Sequence, residues 1–432
     1  MNRLRKTLFI GIISFSIILT SIIFVLLINE DNTKSDSDKE DSDIQSVPIE
    51  QDYYAKGIRL TFIHNFNESV VISWFTELNV TDPLVNYSTK ADLSNSIVIK
   101  ANSTEISSTF IHIAELVDLL PNTTYFYQIS SDKYHKREIL TFTTMANNPN
   151  HIRFLVYGDS RTNRTARMNL AEKIMENFKD NFQFTIHDGD IVNDGREQSL
   201  WNNYFIDTES LNSYKQGIYV EGNHEWGQVI DIKMYDNLPM RNNYSLSNRY
   251  YSFSYMGIGF IILNSNDYTA GDYVQTEWLN QTLIQFSQEN VFNLAFLHHP
   301  LLHVRSNPYH RDNWNPLFEK YNVSIIFCGH NHNYERSYPI TNSTFNSIEY
   351  DNSELYNYTN LYDPIYIVTG GAGAPLYPCY DYEFIAKTES AYNFLLIDVK
   401  EEGTKTTLSL ETWCIPQNFG SLYLFDNVTI SK

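Results

Sequence analysis

"VSIIFCGHNHNYERS", Val323 to Ser337, is the stretch whose reading decides the fold. Its apolar run up to Cys328 reads as a buried strand, and the run stops at Gly-His-x-His. His330 and His332 therefore fall on the turn at the carboxyl edge of a sheet, where open α/β sheets keep their ligands. Two imidazoles in that position suit a metal ion. A His-x-His pair also occurs on surfaces with no role, so the other strand ends have to supply partners.

They do. "IRFLVYGDS" ends in Asp159, "FQFTIHDGD" in Asp190, "GIYVEGNHE" in Asn223 and His224, and "NLAFLHHP" in His298 and His299. Glycine before several of these residues allows the close backbone approach such turns need. Helical periodicity separates the strands in "ARMNLAEKIMENF", around Gln198 to Tyr204, in "TEWLNQTLIQF" and in "NPLFEKY". "YYSFSYM" with "IGFIILNSN" reads as a hairpin, and "PIYIVTGGAG", "NFLLIDV" and "TKTTLSLETW" as later strands. The alternation predicts a layered α/β domain with mixed sheets. The mixed nitrogen and oxygen donors suit Zn, Fe or Mn, with enough ligands for two ions and a bridging carboxylate.

Upstream, from Gly57 to Thr144, short alternating strands separated by Gly, Asn, Asp and Pro predict an antiparallel sandwich with Trp74 as its core plug. Taken by itself, that domain reads as a spacer or adhesive module. "MANNPN", Met145 to Asn150, reads as the linker. At the amino end, "MNRLRK" precedes an uncharged run of about twenty apolar or hydroxylated residues, followed by "NEDNTKSDSDKEDSD". Residues 1–28 are thus expected to form an uncleaved single-pass signal anchor, and 29–50 a solvated acidic tether. The domain 51–145 and the catalytic domain 150–432 would lie outside the cytoplasm, at the cell membrane. The 432 residues suffice for these domains, and a formal net charge of −20 argues against nucleic acid as a partner. Of three cysteines, Cys328 ends a buried strand, while Cys379 and Cys414 could pair outside the cell. A dozen N-x-S/T sequons, from Asn67 to Asn427, fit an exported surface.

The ordered motifs GD, GDxxxDG, GNHE, HxP and GHxHxYER resemble the calcineurin-like metallophosphoesterase superfamily, and "GHNHNYERS" resembles the purple acid phosphatase branch. "LVDLLPNTTYFYQI" followed by "LTFTT" is similar to the fibronectin type III-like domain that precedes the catalytic domain in that branch. The resemblance implies an α/β fold, a layered metallophosphoesterase β-sandwich flanked by helices after an all-β fibronectin type III-like domain, to which the amino-terminal apolar run adds the expected transmembrane helix. It implies that Asp159 and His332 hold one metal ion, that Asn223, His298 and His330 hold a second, and that Asp190 bridges them. The ions would be two divalent or trivalent Fe, Zn or Mn. His224 would bind the phosphoryl group and protonate the leaving oxygen, and a metal-bridging hydroxide would attack a small phosphate ester. Between His298 and His299 the H-x-P spacing favours His298.

Two positions depart from the pattern. Arg161 stands where most of the superfamily has His, and Asn193 where the purple branch has a metal-bound Tyr. Without that Tyr the protein should not be purple, and the first ion loses a donor. Arg161 is either a catalytic phosphate clamp or half of an ion pair with Asp194 or Glu225. His303 and His310 lie downstream of HxP, where the branch places substrate-contacting histidines, though at a different spacing. Glu335 and Arg336 are expected to pair, and Thr369 to Tyr377 to form a backbone turn near the site. The expected activity is an acid-phosphatase-like hydrolysis of phosphomonoesters; the alternatives are a phosphodiesterase or nucleotidase, and a surface adhesion or recognition protein with weakened catalysis.

Overall fold

The structure, a computed structural model, describes residues 53–62, 66–132, 134–226, 249–266, 271–302, 308–344 and 347–432. The expected anchor over 1–28, the tether over 29–50 and His303 lie outside the described residues. Among the described residues no helix is long and apolar enough to cross a membrane.

Two sheets face each other across the main core. The apolar strands that carry it are buried on both faces, so they read as continuous hydrophobic runs, with period two deciding which side chain goes where. In His151–Tyr157, Ile152, Phe154 and Val156 enter the inter-sheet core, while Leu155 and Tyr157 face the opposite layer. In Ile325–Cys328, Ile325 and Phe327 do the same, while Ile326 and Cys328 face away. Stacked or edge-on rings run through this core from Phe184 to Phe154 at 5.1 Å, to Phe260 at 5.4 Å, to Phe296 at 6.2 Å and to Phe327 at 4.9 Å.

One sheet runs, among the described residues, through Asn357–Thr359, Tyr423–Ser431, Lys405–Ile415, Tyr392–Glu402, His151–Tyr157, Phe184–His187 and Gln216–Tyr219. The other contains Tyr251–Tyr255, Ile258–Ile262, Phe292–Leu297, Ile325–Cys328, Ile365–Thr369, Tyr334–Ser337 and Ile385–Glu389. His151–Tyr157, Phe184–His187 and Gln216–Tyr219 are parallel, as are Ile258–Ile262, Phe292–Leu297, Ile325–Cys328 and Ile365–Thr369. Their carboxyl ends therefore deliver the polar residues that follow them to a shared edge. The expected hairpin is present, pairing Tyr251–Tyr255 with Ile258–Ile262. The helices Arg164–Phe178, Gln198–Asp207, Gly271–Glu289 and Pro308–Lys320 accompany the sheets. The last begins well before "NPLFEKY", because Pro308 opens it at a position where a missing N–H costs nothing.

The amino-terminal sandwich has Trp74 fully buried in its core, with Tyr125 and Tyr127 entering it from the same face of their strand. It is more than an appended spacer. Its strand Lys56–Thr61 pairs in parallel with Gln216–Tyr219, so Val70–Thr76, Thr109–Leu116 and Asn102–Ile106 extend the first large sheet. Tyr127 Oη donates to Ser213 O at 2.6 Å, Ile58 N donates to Glu209 Oε2 at 3.1 Å, and Arg59 lies over the Phe205 ring at 4.0 Å. Tyr127→Phe removes one buried bond across this junction and strands a carbonyl. It is expected to cost about 1–3 kcal/mol of unfolding free energy, read as a lower urea midpoint.

Two expectations are corrected here. Cys379 and Cys414 are both free, since Cys414 is turned into the interior from its strand while Cys379 is exposed. Glu335 and Arg336 do not pair, because neighbours on a strand point to opposite faces. Arg336 Nε instead meets Asp426 Oδ2 at 2.6 Å, and Glu335 Oε1 accepts from Asn333 Nδ2 at 2.8 Å.

Candidate metal centre

The strand-end residues meet. Asp190 Oδ1 lies 3.2 Å from His298 Nε2, which is 3.1 Å from Asn223 Oδ1. His330 Nδ1 is 2.9 Å from Asn223 Oδ1 and 3.3 Å from His298 Nε2. On the other side, His332 Nε2 lies 3.5 Å from Asp159 Oδ1, and Asp159, Asp190 and His332 offer ligand atoms all within 4.8 Å of one another. All six residues expected to be metal donors therefore converge on one place.

The backbone is held in unusual conformations to do this. Asp159, Asp190 and His330 have φ of 58°, 53° and 69°, a left-handed region that is uncommon outside glycine and that Asp and His enter more readily than most residues. The neighbouring glycines are needed chiefly for space. A Cβ on Gly222 would lie 2.1 Å from Asp190 N, and one on Gly329 would lie 2.5 Å from Asp159 Oδ2. Glu225, the last residue of GNHE, clasps the turns: its carboxylate accepts from Asp190 N, Val192 N and Gly222 N, each at 3.0 Å. The turn after Thr369 packs against the site as expected, with Ala374 N donating to Asp159 O at 2.8 Å and His332 Nδ1 donating to Pro375 O at 2.7 Å. That bond leaves Nε2 as the nitrogen with which His332 would hold a metal.

Burial lowers His330 to about 3, with His298 adding to the effect, and burial lowers His332 to about 4. Both are neutral donors at neutral pH. Burial works against charge on His298 as well, but Asp190 outweighs it and pushes His298 up to about 10. His298 would have to give up a proton to hold a metal at Nε2. Burial would raise Asp190, yet His298 overrides it and holds the carboxylate well below its ordinary range. Asp159 is pushed up by burial, and its Oδ1 has no hydrogen-bond partner.

His224 sits at the mouth, with Nδ1 2.6 Å from Asn193 O and Nε2 3.7 Å from Asp190 Oδ2. Arg161 is at the centre itself. The partners considered for it from sequence are engaged elsewhere, Asp194 with Arg196 and Glu225 with backbone amides. Its Nε lies 3.2 Å from Asp190 Oδ2, NH1 donates to Asn193 Oδ1 at 2.9 Å, and NH2 is 3.2 Å from His332 Nε2. His310 is buried against Trp314, 4.1 Å between ring centroids, and belongs to the interior.

Sequence reasoning left His299 undecided and missed Asp188. His299 Nδ1 is 2.9 Å from Ser265 Oγ, and His299 joins His298 and His330 in a second group of donors within 4.8 Å. Asp188 is fully buried behind the site, its carboxyl pushed up by burial, and its carbonyl accepts from His298 Nδ1 at 2.8 Å. The carboxylate that follows the strand in "FTIHD" is the signal that could have found it.

The family described as Calcineurin-like phosphoesterase matches residues 152–334, and the one described as Purple acid Phosphatase, N-terminal domain matches residues 55–144. An uncharacterized protein of Mycobacterium tuberculosis is 23% identical over 465 residues, 87% of this chain and 87% of that protein. Fe(3+)-Zn(2+) purple acid phosphatase 12 of Arabidopsis thaliana is 25% identical over 340 residues, 73% of this chain and 71% of that protein. The solved structure of a purple acid phosphatase from yellow lupin (Lupinus luteus) seeds is similar with a TM-score of 0.72 at 20% identity, over 88% of this chain and 74% of that one, which speaks for a shared fold. The chain therefore carries a calcineurin-like phosphoesterase domain over residues 152–334, preceded by a purple acid phosphatase N-terminal domain over residues 55–144.

Proposed function

We propose that this metallophosphoesterase hydrolyses phosphomonoesters, in the manner of an acid phosphatase, on the outer side of a membrane to which residues 1–28 anchor it. The observation that carries the reading is the approach of Asp190, Asn223, His298 and His330, with donor separations of 2.9 to 3.3 Å. Donors that share one ion at about 2.1 Å stand about 3.0–3.4 Å apart, so the set fits Zn, Fe or Mn. The partnerless Oδ1 of buried Asp159 is a second acceptor suited to positive charge. A bound ion supplies Lewis-acid charge, which lowers the pKa of water and offsets charge on phosphoryl oxygens.

The chain's own residues do the rest. Asp190 and Asn223 orient the histidines around the pocket, and Asn223, being neutral, leaves its ion more positive than another carboxylate would. With Nδ1 donating to Asn193 O, His224 keeps Nε2 toward the pocket mouth, where it passes a proton to the leaving oxygen. The anchor and the outward location rest on the charge asymmetry around the first apolar run.

The test uses the full chain in detergent, stripped with chelator and reloaded with Mn, Zn or Fe. Stripped protein is expected to be inert, and reloading should restore turnover of p-nitrophenyl phosphate at least about tenfold above that of its bis ester. Preference for the bis ester would move the reading to a phosphodiesterase. Inertness under all three metals would leave a recognition protein.

A further inference from the structure

Arg161 and Asn193 look in the sequence like two separate losses from the first-metal half of the centre. In the folded chain they are one arrangement. Arg161 NH1 donates to Asn193 Oδ1 at 2.9 Å, an oxygen that also accepts from Thr162 Oγ1 at 3.1 Å. Asn193 is thereby turned toward the guanidinium. The other nitrogens of Arg161 reach the donor atoms that an ion would need. NH2 is 3.2 Å from His332 Nε2, the nitrogen left available after Nδ1 donates to Pro375 O. Nε is 3.2 Å from Asp190 Oδ2, while Asp190 Oδ1 faces His298.

A guanidinium has five donors, no lone pair and a permanent charge, so it cannot ligate a metal and repels one nearby. With the Arg161 charge against Asp190 Oδ2 and NH2 bonded to His332 Nε2, Asp159 Oδ1 is the one oxygen of the first set left without a hydrogen-bond partner. Zn, Fe and Mn require three or more protein donors as a rule. The second half, by contrast, keeps Asp190, Asn223, His298 and His330 facing one another.

We propose that the centre holds a single ion, on Asp190, Asn223, His298 and His330, and that Arg161 is a built-in positive charge in place of a first ion; this rests on the phosphoesterase reading above. The Arg161 side chain is 14% exposed, enough for the guanidinium to face a phosphoryl oxygen while Asn193 and Asp190 fix its plane. Asn193 acts through Arg161 and is a positioning residue.

The experiment counts ions. The full chain is saturated with Mn(II), desalted, assayed for metal by mass spectrometry and examined by electron paramagnetic resonance. About one ion per chain with the six-line signal of an isolated ion is expected, and Arg161→His should bring the count to about two with a spin-coupled signal, as in two-metal sites. Two ions in the unaltered chain, or one ion still in a folded Arg161→His, would overturn the single-ion centre while leaving metal-dependent hydrolysis standing. No ion in either protein overturns both. Should Arg161→His not fold, the count and spectrum of the unaltered chain decide by themselves.

Discussion

Asp190→Asn is expected to lower kcat for p-nitrophenyl phosphate by about a thousandfold or more, because the loss of one full metal charge interaction is worth about 4 kcal/mol in the transition state. The substitution isolates charge from shape. Asn is isosteric and accepts the left-handed backbone that Asp190 adopts at φ 53°. Its backbone N–H keeps Glu225, and its side-chain oxygen can still accept from His224 N, now 3.1 Å from Asp190 Oδ1. What disappears is the negative charge that faces His298 at 3.2 Å and Arg161 at 3.2 Å. Metal content should fall with activity, while the thermal unfolding midpoint moves by only a few degrees. Activity within about tenfold of the unaltered chain would show that Asp190 is no metal ligand in turnover.

That outcome turns on residues whose place was legible in the sequence, for a physical reason. An apolar strand buried on both faces must end where its polar residues begin, so "VYGD", "IHDGD", "FLHHP" and "CGHNH" marked the sheet edge without help from tertiary structure. Trp74 and the paired Tyr125 and Tyr127 were legible from period two. Partners chosen across the chain were not. Arg161 finds Asn193 32 residues along the chain and His332 farther still, and nothing in "GDSR" says which acceptor a long flexible side chain will take. The shared sheet was hidden for a similar reason. Leu60 opposite Gln216 is an edge-to-edge pairing of backbone groups, and any strand edge carries those groups whatever its side chains. Glu335 and Arg336 stand apart, because the period-two rule that rejects their pairing was available from the sequence once the segment is taken as a strand.

Asp426→Ala is the change expected to cost the most stability away from the centre, about 3–5 kcal/mol. Arg336 is fully buried, and Asp426 carries most of what makes that tolerable: Nε donates to Oδ2 at 2.6 Å and NH2 to Oδ1 at 3.2 Å. Tyr334 Oη adds a third bond to Oδ2 at 2.9 Å. Burial opposes the charge on Arg336, but the bond to Asp426 outweighs it and holds the guanidinium above its ordinary value, charged at any working pH. Alanine would therefore leave a cation and a phenol in the interior with their acceptor gone. The pair also joins strand Tyr334–Ser337 of one large sheet to strand Tyr423–Ser431 of the other, so its loss weakens the packing of the two layers. Urea unfolding should show the midpoint falling, and the double change Arg336→Met with Asp426→Leu should recover part of the loss by removing the stranded charge. A single Asp426→Ala that unfolds within about 1 kcal/mol of the unaltered chain would mean that water reaches Arg336 and that the two sheets do not depend on this contact.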